Sequence, residues 1–90
     1  METIKLYNRY RENNVYFKKV SDEEYILYCE NVLYYRPFFD EHKEIVGIDP
    51  EGGPLISVGD TIPKTSKKIV SIEQLIEENS KILKFKIIVK

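Results

Sequence analysis

Turn signals break the chain about every ten residues, and this punctuation limits what it can fold into. They fall at Glu12-Asn13-Asn14, Ser21-Asp22-Glu23, Gly59-Asp60 and Pro63–Ser66, and most strongly at Asp49-Pro50-Glu51-Gly52-Gly53-Pro54, where two prolines and two glycines share six positions. The segments left between them suit strands of ordinary length and leave no room for long helices.

Inside the segments the period is two. Ile4, Leu6, Asn8 and Tyr10 alternate with Lys5, Tyr7, Arg9 and Arg11, which predicts a strand with one apolar face and one basic, wet face. Val15 to Val20 resumes after the turn with β-branched and aromatic residues, so the first two strands are expected to form a hairpin. Tyr25, Leu27 and Cys29 oppose Ile26 and Tyr28, apolar on both sides as in the centre of a sheet. Val32 to Arg36 continues in this style up to Pro37, with Asn31 either a turn tip or a bulge. Two further apolar runs, Ile45 to Ile48 and Leu55 to Val58, flank the Gly-Gly loop. Leu83, Phe85, Ile87 and Val89 face a core while Lys84 and Lys86 face water.

Ile69 to Glu78 supports two readings. Ser71 with Gln74 has the form of a capping box, and Ile72, Leu75 and Ile76 share one helical face, which favours a helix of about two turns. The alternative is another strand. The expected fold is therefore mainly β (β-rich α+β): a small antiparallel barrel, curled sheet or sandwich of about six short strands with at most one short helix. Ninety residues support one core, so residues 1–90 are read as a single domain.

Composition narrows the function. Fourteen basic and fifteen acidic residues give a net charge of −1, so the whole molecule has no field that would draw it to duplex nucleic acid or anionic membranes, and contact with a polyanion has to come from a local patch. Apolar runs reach about four residues, far short of the roughly 20 that cross a bilayer as a helix. The opening Met-Glu-Thr-Ile-Lys-Leu-Tyr is unlike a signal peptide, so a cytoplasmic location is expected. Cys29 is the single cysteine, which excludes an internal disulfide and a cysteine zinc cage. The wealth of Lys, Ile, Tyr, Asn and Glu is that of an AT-rich genome, such as a bacterium's or a phage's.

No catalytic set stands out. Cys29 lies in an apolar strand, where it acts as a small hydrophobe, and His42 with Ser57 or Ser66 lacks any supporting nucleophile motif. Asp49 and Asp60 flank the Gly-Gly loop but are ordinary turn residues. Asp40, Glu41, His42 and Glu44 cluster around Lys43 and read as a solvated connection, so neither a metal nor a cofactor is expected. Binding candidates are clearer. Tyr34, Tyr35, Arg36, Pro37, Phe38 and Phe39 cannot all point inward from one strand, and their residue types favour stacking and interfaces. Arg9 and Arg11 supply cations from the wet face of the first strand, and Lys64, Lys67 and Lys68 form a second basic group. Gly52 and Gly53 could let backbone N–H groups approach an anion.

The sequence thus reads as a binding protein rather than an enzyme. Its expected ligand is a small anionic or nucleotide-like molecule held by Arg9, Arg11, Tyr34, Tyr35, Arg36, Phe38, Phe39, Gly52 and Gly53, and its action would be sequestration. The alternative is an accessory or inhibitory module that grips a protein partner through the same aromatic patch. Under either reading, a homodimer is compatible with an exposed strand edge.

Overall fold

A computed structural model describes residues 3–5, 15–30, 35–50, 55–76 and 82–90, without the side chains of 35–38 and 49–50. Its elements are all strands: β1 (Thr3–Lys5), β2 (Val15–Lys19), β3 (Glu24–Cys29), β4 (Tyr35–Phe39), β5 (Ile45–Pro50), β6 (Ile56–Ser57), β7 (Ile69–Leu75) and β8 (Leu83–Val89). Five form one antiparallel sheet in the order β1-β2-β3-β8-β7, and three form a second in the order β4-β5-β6. The mainly β, antiparallel expectation holds.

Alternation in sequence becomes burial in space. The inner face of the large sheet carries Ile4, Val15, Phe17, Tyr25, Leu27, Cys29, Phe85, Ile87 and Val89, and the small sheet and its connections add Ile48, Ile56 and Ile62 to the same core cluster. Across the strands, Ile4, Phe17, Leu27, Phe85 and Gln74 lie in register as one inner row. β3 sits at the centre of the large sheet, as its two apolar faces suggested.

The turns fall where side-chain chemistry favours them. At Ser21–Glu23 the Val20 N–H donates to the Glu24 carbonyl at 2.9 Å. Gly59 adopts φ 97°, a left-handed conformation suited to glycine, and its N–H donates to the Ile69 carbonyl. In the Pro63–Ser66 turn the Thr65 hydroxyl donates to the Ile62 carbonyl at 2.8 Å. β1 pairs antiparallel with β2, with Ile4 opposite Phe17, and the rest of the first expected strand and its Glu12-Asn13-Asn14 turn lie outside the described residues.

The helix expected over Ile69 to Glu78 is not formed: residues Ile69–Leu75 are strand β7, antiparallel to β8. A register shift between Ile69 and Ser71 explains the misleading spacing. The extra residue of the bulge turns Ile69 and Ile72, three apart, toward the same core, and three is also a helical spacing. A lone two-turn helix is marginal, whereas β7 gains a full ladder with β8. Among the described residues there are eight strands rather than about six, because short pieces such as Ile56–Ser57 pair. β3 and β4 belong to different sheets, Asn31 between them lies outside the described residues, and β5 runs on into the Asp49-Pro50 part of the loop expected to turn. The rest of that loop, including Gly52 and Gly53, lies outside the described residues.

Candidate functional site

The outer face of the large sheet is the obverse of the core. Strand pairing sets its side chains in rows that run across the strands. One row is Lys5, Tyr16, Tyr28, Lys84 and Leu75, and the next is Thr3, Lys18, Ile26, Lys86 and Glu73. Tyr16, Lys18, Tyr28, Lys84 and Lys86 are each half-buried, because neighbouring side chains on a sheet shield one another while their tips remain in solvent.

At the centre, Tyr16 and Tyr28 stack with ring centroids 5.1 Å apart and planes 11° from parallel. The Lys18 ammonium lies 5.8 Å from the Tyr16 centroid and 5.3 Å from that of Tyr28, beside the pair, and the Lys84 ammonium lies 5.6 Å from the Tyr28 centroid. Both ammonium groups lie within cation–π distance of the rings.

Acidic groups border this arrangement. The Tyr16 hydroxyl donates to Glu30 Oε1 at 2.7 Å. Burial and this carboxylate push the Tyr16 phenol up to about 12, so the hydroxyl is a firm donor at neutral pH. Lys86 reaches Glu24 at 3.9 Å and stands opposite Glu73, so its charge is locally balanced. Lys5, Lys18 and Lys84 flank the tyrosine pair. Such a face can stack a planar ring and hold an anion, and neither action needs a nucleophile or a general base.

The residues singled out from sequence are distributed differently. Arg9, Arg11, Tyr34, Gly52 and Gly53 lie outside the described residues. Tyr35, Arg36 and Phe38 are on β4, at one edge of the small sheet, opposite Pro50, Asp49 and Gly47. Phe39 ends that strand and is 55% exposed. β1, which begins the basic alternation, belongs to the large sheet, away from the sheet of β4. The connection over Asp40, Glu41, His42 and Glu44 is an exposed turn in which Asp40 Oδ1 accepts the N–H groups of His42 and Glu44 at 2.9 and 3.0 Å. Cys29 is fully buried, and burial pushes its thiol up to about 12.

Tyr16, Lys18, Tyr28 and Lys84 escaped the sequence reading. Tyr16, Lys18 and Tyr28 meet through the β2–β3 pairing, and Lys84 joins them only when β8 enters between β3 and β7. No protein-family model matches the chain, and no curated protein or solved structure is significantly similar to it.

Proposed function

We propose that this is a non-catalytic binding protein, which sequesters an anionic, ring-bearing ligand of nucleotide type on the outer face of its large sheet. The observation that carries the reading is the Tyr16–Tyr28 stack with the Lys18 and Lys84 ammonium groups within 6 Å of its rings. Stacking supplies sequence-tolerant affinity, and lysine supplies attraction to phosphate. Arg9 and Arg11 continue the sequence alternation that Lys5 begins, so they belong to the same proposal. The composition suits a small cytoplasmic accessory protein of a bacterium or phage.

The test is a titration of labelled protein with adenosine and uridine monophosphates, followed by amide NMR shifts. Shifts centred on Tyr16, Lys18, Tyr28 and Lys84, and lost in Tyr28→Leu, are expected. Shifts confined to β4 and β5 would move the site to the segment Tyr34–Phe39, and no shift with either nucleotides or oligonucleotides would reject the reading.

One observation favours a protein partner as a second reading. Phe39, Val46, Leu55 and Val58 leave large apolar surface exposed on the small sheet and its flanks. Tyr35, Arg36 and Phe38 would then belong to an interface. Concentration-dependent self-association in light scattering, abolished by Phe39→Ser, is its expected signature.

A further inference from the structure

We infer that the ligand of the large sheet is an extended single-stranded nucleic acid rather than a free nucleotide, an inference that rests on the binding reading above. The argument is the shape of the positive strip. Lys5, Tyr16, Tyr28 and Lys84 are successive cross-strand neighbours, so the strip crosses three strand-to-strand steps, about 14 Å at ~4.8 Å each. Lys18 flanks it from the neighbouring row. A single base and phosphate would cover only part of this length.

The acids give the strip its direction. Glu30 stands past Tyr28 at one end of β3, and Glu24, paired with Lys86, stands past Ile26 at the other, so carboxylates border the strip on both long sides. Glu73, on β7, closes the end beyond β8. A polyanion laid along the strands would meet Glu24 or Glu30, whereas one laid across them follows Lys5, Lys18 and Lys84.

The aromatic pair then selects for unpaired bases. Tyr16 and Tyr28 already cover each other, and Lys84 lies against the Tyr28 ring, so the stack is extended by a base placed on the β1 side of Tyr16, beside Lys5. In a duplex the base faces are occupied by their neighbours, which leaves this position to single strands. Three cavities, lined by Phe17, Leu55 and Thr61, by Ile45, Val58 and Ile72, and by Lys67, Ile88 and Lys90, lie away from the tyrosine pair. A strip of this length suits a polymer that gains affinity from several weak contacts.

The experiment is fluorescence anisotropy with labelled oligothymidylate and oligouridylate of about twelve residues, with the matching duplex and the mononucleotides as competitors. Single strands are expected to bind at least tenfold more tightly than either competitor. The slope of log K against log salt should be about −2, from roughly three phosphates at −0.7 each. Tyr28→Leu should weaken binding about fivefold or more, and Lys18→Gln should make the slope shallower by about 0.7. Circular dichroism checks that both variants stay folded. Tighter binding of oligouridylate would assign the ligand as RNA, and tighter binding of oligothymidylate as DNA. Mononucleotides that bind as tightly as the oligomers, with a slope near zero, would overturn this inference and leave the nucleotide reading standing. Binding of neither class would overturn both, and oligomer binding untouched by either variant would overturn the assignment to this face.

Discussion

Replacing Leu27 by alanine tests the core most directly. Leu27 is 0% exposed and sits in the central strand, between Phe17 of β2 and Phe85 of β8, themselves fully buried. Truncation removes buried methyl groups and leaves a cavity whose walls are two rings on hydrogen-bonded strands. Leu→Ala changes cost about 2–5 kcal/mol, and the cost is highest where the surroundings cannot collapse, so about 4 kcal/mol is expected here. A domain of this length has a total stability of roughly 5–13 kcal/mol, so a third or more would be lost. Urea unfolding followed by tyrosine fluorescence and circular dichroism reads the change, with an unchanged slope showing that the transition is still the same one. Leu55→Ala, at a half-exposed position, is the control and should stay within about 0.5 kcal/mol. A loss below about 1.5 kcal/mol at Leu27, or an equal loss at Leu55, would refute the placement of the core.

Three further outcomes are expected. Gly47→Ala should destabilise by about 1–3 kcal/mol, because a Cβ there would stand 2.7 Å from Ser57 Oγ and 2.9 Å from the Ile56 carbonyl oxygen; adding Ser57→Ala should recover only part of this, since the backbone contact remains. Ultraviolet titration should show Tyr16 ionising near 12, above the ordinary value of 10, and Glu30→Gln should bring it down; because the fold favours the neutral phenol, its contribution to stability is complete below pH 10 and disappears as pH rises through 12. Cys29 should resist a thiol reagent in the native protein and react at the rate of unfolding, while fast labelling under native conditions would contradict its burial.

Much of this architecture was legible locally. The alternation of Tyr25, Leu27 and Cys29, and of Phe85, Ile87 and Val89, announced both the strands and their buried faces, since side-chain direction in a strand depends only on parity. The turn at Gly59 was announced in the same way. β7 was not legible, because one bulge residue converts the spacing of Ile69 and Ile72 from two to three. The proposed binding face was illegible for another reason. Tyr16, Tyr28 and Lys84 are ordinary wet-face residues on their own strands, and no local pattern states that β8 pairs with β3 across more than fifty intervening positions. Sequence reasoning accordingly favoured Tyr34–Phe39, where aromatic residues are dense along the chain rather than in space.

The place of β8 in the large sheet also bears on how the protein reaches its fold. Joining Cys29 to Leu83 closes a loop of 54 positions, against six for the β2–β3 turn between Lys19 and Tyr25. The difference in closure entropy is about 2 kcal/mol. That cost falls before the ladder repays it, which slows assembly. Until β8 docks, β3 is itself an edge and β7 has no partner in its sheet, so both expose unpaired backbone groups. β8 is therefore the keystone of the large sheet, and losing it would leave an aggregation-prone chain rather than a slightly smaller sheet.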